Sequence, residues 1–112
     1  MNIKQLVTTD DINKILKSDG VSIIFKHSTR CPLSSIAKKE FESFAETSPC
    51  YIQLYFVDIV QHRIVSNEIE HQTGIAHESP QIIVIGSGKV IWHTSHLNIT
   101  KQAIEKALEK DS

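Results

Sequence analysis

Val21-Ser22-Ile23-Ile24-Phe25-Lys26-His27-Ser28-Thr29-Arg30-Cys31-Pro32-Leu33-Ser34-Ser35 decides the fold. Its first seven residues are rich in β-branched and aromatic side chains and predict a buried strand. Ser28 to Pro32 break that pattern. From Pro32 the apolar period turns helical, with Leu33, Ile36, Ala37, Phe41, Phe44 and Ala45 on one face and Lys38, Lys39, Glu42 and Glu46 elsewhere. Proline at the first helical position loses nothing, because its missing N–H had no partner there. Thr47-Ser48-Pro49 stops the helix. A cysteine, Cys31, therefore sits at a strand-to-helix turn.

The elements around this unit read outward from it. Thr9 to Lys17 predicts a short helix, capped by Thr8 or Thr9, with Ile12, Ile15 and Leu16 as its apolar stripe. Tyr51 to Ile59 predicts a second strand. Arg63 to Thr73 predicts a helix with Ile64, Val65 and Ile69 inward, ended by Gly74. Gln81 to Ile85 is a third strand, Gly86-Ser87-Gly88-Lys89 a hairpin turn, and Val90 to Ser95 a fourth strand. Thr100 caps a last helix that turns Ala103, Ile104, Ala107 and Leu108 to the core. The order is α-β-α-β-α-β-β-α. The early βαβ part implies parallel strands and a right-handed crossover, and the hairpin adds an antiparallel edge. The expectation is an α/β sandwich: a four-stranded mixed sheet with helices on both faces.

A chain of 112 residues fits a single domain spanning residues 1–112. Its 12 basic and 13 acidic residues nearly balance, giving a formal net charge of −1 and no global pull toward nucleic acid or anionic lipid. No run approaches the ~20 apolar residues of a membrane span. Met1 to Asp10 lacks an apolar stretch of signal-peptide length. Two cysteines are too few for a secreted disulfide scaffold. These features predict a cytoplasmic protein with reduced thiols and neither nucleic acid nor membrane as a partner.

Cys31 carries the chemistry. The free N–H groups of a helix's first turn, and the dipole behind them, favour negative charge at its N-terminus. Lys26, His27 and Arg30 add positive charge nearby in sequence, and Pro32 starts the helix directly after the thiol. These four residues are read as stabilising a thiolate. The effect matters because a thiol of pKa ~8.5 is only about 3% ionised at pH 7, whereas one of pKa about 6 is roughly 90% ionised. Arg30 and Lys26 also suit carboxylates of a bound adduct, Arg30 as a bidentate fork. The plainer reading of both is solvated surface charge.

A second cue lies downstream, in Thr73-Gly74-Ile75-Ala76-His77-Glu78-Ser79-Pro80-Gln81-Ile82-Ile83-Val84-Ile85. A helix end, a glycine, a short loop, a small hydroxyl residue, proline and a buried strand follow in that order. Together with the strand–Cys-Pro–helix unit, this resembles the thioredoxin-like superfamily from about residue 7 to residue 110. Within it, Ser28 to Ser35 is similar to the monothiol bacilliredoxin family (the YtxJ-like family), which carries a Thr-Cys-Pro-Ile-Ser type motif in the same turn. Here Arg30 directly precedes the cysteine, and Leu33 stands for the isoleucine.

The resemblance implies that Cys31 is the catalytic nucleophile, with Pro80 in cis facing it and the backbone of Ser79 pairing with bound substrate. It implies bacillithiol as co-substrate and S-bacillithiolated proteins as partners. Bacillithiol removed from protein mixed disulfides would leave through free bacillithiol, with an NADPH-dependent bacillithiol disulfide reductase acting indirectly. Ser34 occupies the place where dithiol relatives keep a resolving cysteine, so release requires an external thiol.

The remaining signals are weaker. Cys50 reads as a small apolar residue at the start of a strand. A helix from 32 to 46 would put it roughly 20 Å from Cys31, too far for a disulfide. His93 with His96, and His71 with His77, lack the Cys pair or carboxylates of a zinc site, so no metal is expected. Ser28 precedes Cys31 by three, as in peroxiredoxin motifs, but Ile24 stands where those need proline. The other class that fits is a thioredoxin-like adaptor or redox-sensing module with Cys31 as a modification target.

Overall fold

The sheet is built around β2 (Val21–His27), flanked by β3 (Gln53–Asp58) on one side and β4 (Gln81–Gly86) on the other. The structure is a computed structural model and describes residues 2–110. β1 (Ile3–Gln5) lies outside β3, and β5 (Lys89–Ser95) lies outside β4, giving the order β1-β3-β2-β4-β5. β1, β3 and β2 run parallel, and β4 and β5 are antiparallel additions. The helices are α1 (Thr9–Lys17), α2 (Pro32–Thr47), α3 (Arg63–Thr73) and α4 (Lys101–Lys110), with a 3-10 turn at His96–Asn98 before the last.

The sheet therefore has five strands where the sequence predicts four. The extra one, β1, pairs Ile3 with Leu54 and Gln5 with Phe56. Three residues are too short for alternation to register as a period, so this strand exists through pairing with β3 rather than through its own pattern.

Alternation along β2 sends successive side chains to opposite faces. Ile23 and Phe25 pack with Leu54, Ile82 and Val84 against Ala37, Phe41, Phe44 and Ala45 of α2 and Ile104 of α4. Ile24 packs with Val57, Ile83 and Ile85 against Ile12 and Ile15 of α1 and Val65 and Ile69 of α3. Helices thus cover both faces. Two residues expected inward point outward: Ile36 is 53% exposed and Ile64 is 75% exposed. On α2 the buried stripe passes through Ser34, Ala37 and Phe41, and on α3 through Val65, Ser66 and Ile69. A neighbour one residue from such a stripe is rotated about 100° away.

Local signals fix the ends of several elements. Thr8 Oγ1 accepts from the Asp11 N–H at 3.3 Å, and Asp11 Oδ2 accepts from the Thr8 N–H at 3.2 Å, a reciprocal capping box on α1. Gly74 ends α3 in the left-handed region at φ 74°. Ser87 and Gly88, at φ 50° and 79°, form the two-residue turn between β4 and β5, the conformation that matches strand twist. Cys50 does not open β3; it is exposed in a turn ahead of it. Among the described residues, no helix is long and apolar enough to cross a membrane.

Candidate active site

Cys31 is the residue that caps α2, in extended conformation at φ −110° and ψ 116°, with Pro32 at the first helical position. Its side chain makes no capping hydrogen bond, and the first turn of α2 carries no acidic residue. The positive end of that dipole is therefore not offset by a carboxylate of its own turn. Cys31 is half-buried, while Thr29, Arg30 and Pro32 are exposed.

A buried network holds the turn that presents the thiol. The Ser34 hydroxyl oxygen accepts from the Ser28 N–H at 3.0 Å and lies 2.8 Å from His27 Nδ1. Ser28 Oγ accepts from the Arg30 N–H at 3.2 Å. The Cys31 N–H reaches the Ser28 carbonyl at 3.3 Å, and the Ser34 N–H reaches the Cys31 carbonyl at 3.0 Å. Ser34 is fully buried, so it ties the end of β2 to the first turn of α2. His27 lies within the α2-side core, its ring 5.3 Å from that of Phe56. Burial lowers its pKa, and the Lys38 charge adds to that. With Nδ1 unprotonated, the Ser34 hydroxyl donates this hydrogen bond to the ring.

Across the sheet end stands Ser79–Pro80, whose peptide bond is cis. Cys31 Sγ lies 4.0 Å from the Ser79 carbonyl oxygen. Ser79 Oγ is buried and has no hydrogen-bond partner among the described residues. Residues 48 positions apart in sequence thus share one site.

Of the predicted charged neighbours, Arg30 stays at the mouth of this turn and Lys26 goes elsewhere. Lys26 follows Phe25 on β2 and so projects to the α3 face. It is completely buried, with Nζ 3.1 Å from His77 Nδ1. Burial pushes its pKa down to about 8, against the opposing pull of Glu70. Ser66 Oγ also approaches His77 Nδ1, at 3.3 Å, and the His77 N–H donates to Glu70 Oε2 at 2.9 Å. Burial lowers the His77 pKa, and the Lys26 charge adds to it.

Beside the thiol turn, a groove of about 420 Å³ runs between the β2–α2 turn and the N-terminus of α3. Ser28, Arg30, Arg63, Ser66, Asn67 and His77 line it, over an apolar strip of Ile59 and Val60. Nothing local in the sequence marks Arg63, Ser66 and Asn67, because only the fold brings the start of α3 to Arg30, and His77 reads locally as a candidate metal ligand alone. Cys50 lies beyond the far end of α2, whose 16 residues span about 24 Å. Both cysteines are free.

The family described as monothiol bacilliredoxin BrxC matches residues 4–104. A solved protein described as having a thioredoxin fold and a proposed oxidoreductase activity superposes with a TM-score of 0.85 at 26% identity, covering 95% of this chain and 93% of its own. Thioredoxin from Trypanosoma brucei brucei gives a TM-score of 0.81 at 14% identity, with 98% and 90% covered. Thioredoxin from Malassezia sympodialis gives 0.77 at 17% identity, with 97% and 90% covered. The two thioredoxins establish the fold alone. With the family match extending over most of the chain, on a thioredoxin fold that sets a helix-capping cysteine against a cis-proline, the chain belongs to the monothiol bacilliredoxin family of thiol oxidoreductases.

Proposed function

We propose that this protein removes bacillithiol from S-bacillithiolated proteins in the cytoplasm, with Cys31 as nucleophile. The observation that carries this reading is the placement of Cys31 Sγ at the α2 N-terminus, 4.0 Å from the Ser79 carbonyl, with a serine at position 34. Cys31 caps the positive end of α2, and Arg30 directly precedes it. Pro32 starts the helix without spending an N–H, and the buried His27–Ser34 pair positions the turn. The backbone at Ser79, held by Pro80, docks the substrate segment.

The Cys31 thiolate attacks the bacillithiol sulfur of the mixed disulfide. A Cys31–bacillithiol disulfide forms, the original S–S bond breaks, and the protein thiolate leaves. Ser34 offers no thiol to resolve this adduct. A free bacillithiol thiolate then attacks the bound bacillithiol sulfur and releases Cys31 as thiolate. The two electrons that reduce the protein cysteine leave two bacillithiols joined as a disulfide, which an NADPH-dependent bacillithiol disulfide reductase returns to the thiol.

The test incubates reduced protein with bacillithiol disulfide, and separately with glutathione and coenzyme A disulfides, and follows intact mass. One rapid bacillithiol adduct, absent from Cys31→Ser and reversed by free bacillithiol, is the expected result. Full turnover by Cys31→Ser overturns the mechanism. Equal reaction with all three disulfides overturns bacillithiol as the favoured co-substrate.

A further inference from the structure

The groove beside Cys31 concentrates positive charge in a chain whose net charge is −1. Arg30 enters it from the thiol turn and Arg63 from the first turn of α3. Neither guanidinium forms a salt bridge among the described residues. Among the described residues, no carboxylate lines the groove. Behind its wall stands Lys26, a fully buried ammonium whose hydrogen-bond partner is an imidazole rather than an acid. A protonated lysine only donates, so His77 Nδ1 accepts from it, and the His77 ring is part of the groove lining. Asn67 and Ser66 add neutral polar groups, and Glu70 is engaged by the His77 N–H. Such a lining is suited to an anion, and planar guanidinia match carboxylates best.

We infer that this groove holds the carboxylate-bearing, low-molecular-weight half of the mixed disulfide, and that Arg63 is a specificity-determining residue for it. The inference rests on the exchange reading of Cys31. With its carboxylates between Arg30 and Arg63, the small thiol brings its own sulfur to Cys31 Sγ. That sulfur is the one attacked, and the protein cysteine sulfur, on the open side, leaves as thiolate. The groove thus selects which of the two sulfurs is attacked, and this decides whether the small thiol or the protein ends on Cys31.

The experiment measures second-order rates of Cys31 adduct formation by quenched intact mass, for the full chain and for Arg63→Gln. Three probes are used: bacillithiol disulfide, glutathione disulfide and neutral bis(2-hydroxyethyl) disulfide. Arg63→Gln should slow both carboxylated probes about 5-fold and leave the neutral probe unchanged. Raising ionic strength should narrow the difference between the two proteins for the carboxylated probes only. Equal effects on charged and neutral probes, or no effect on any, overturn the groove assignment while leaving exchange at Cys31 intact. Failure of the parent protein to form an adduct with any probe overturns the exchange reading and the groove assignment with it.

Discussion

Ser34 Oγ lies 2.8 Å from His27 Nδ1 in the closed interior of the protein. Three residues after Cys31, this hydroxyl is part of a hydrogen-bond network. The same oxygen accepts from the Ser28 N–H, so one hydroxyl joins the last residue of β2, the turn after it and the first turn of α2. Ser34 is a fixing point for the turn that bears Cys31, and it places a hydroxyl rather than a thiol in the first turn of α2.

Ser34→Ala should therefore weaken the fold. It leaves a buried N–H and a buried imidazole nitrogen without partners, at a cost of about 1–3 kcal/mol. Urea denaturation at neutral pH measures it. A loss of only a few tenths of a kcal/mol would mean that water or a shifted backbone replaces the hydroxyl, and that Ser34 does not hold the turn.

Much of this site was legible in the sequence, for local reasons. A β-branched run that gives way to Cys-Pro and then to a helical period places the thiol without any tertiary information. The observed bounds of α1, β2 and α3 coincide with the periodicity reading. What escaped depends on contacts between distant residues. β1 exists only because β3 offers an edge to Ile3–Gln5. Lys26 reads as a neighbour of Cys31 along the chain, yet strand alternation turns it to the α3 face, where it meets His77, 51 residues away. The resemblance suggested a facing Ser79–Pro80, while nothing local to Arg63 or Asn67 shows that they share a groove with Arg30. Ile36 and Ile64 were misjudged because hydrophobicity alone placed them on stripes that pass one residue to the side.

Lys26 makes stability depend on pH. Its folded pKa is pushed from 10.5 to about 8. Below about pH 8 the lysine is charged in both states, and burial penalises the folded one. Above 10.5 it is neutral in both states, and the penalty is gone. Between these values the unfolded chain binds more protons, so this residue makes stability rise with pH by up to about 3 kcal/mol. Lys26→Met, of similar length and uncharged, should be the more stable protein at pH 7 and should lack this component. The measurement is the free energy of unfolding in urea for both proteins from pH 7 to 10. Parallel profiles would show that the ammonium is solvated in the folded state.

Cys50 should take no part in catalysis. It is exposed, and α2 separates it from Cys31 by about 24 Å, whereas a disulfide needs Cα atoms within about 7 Å. Cys50→Ser should retain the rate of Cys31 adduct formation and its reversal by free thiol. A non-reducing peptide map of oxidised monomer should contain no Cys31–Cys50 link. Finding that link as the main species would require α2 to unfold during the cycle.

Two glycines with nearly equal backbone angles provide a controlled comparison. Gly74 and Gly88 have φ of 74° and 79°, so a side chain at either meets the same left-handed penalty, about 1–2 kcal/mol. Their surroundings differ. A Cβ at Gly74 would have no atom within 4 Å, whereas one at Gly88 would lie 2.4 Å from the Leu16 carbonyl oxygen. That oxygen belongs to α1, whose Ile12 and Ile15 are buried against the sheet, so it cannot withdraw without disturbing the core. Gly74→Ala should cost about 1–2 kcal/mol and Gly88→Ala measurably more. Thermal unfolding of the two variants side by side gives the difference directly. Equal losses would mean that the β4–β5 hairpin moves away from α1 without penalty, and that the turn is not packed against the helix end in solution.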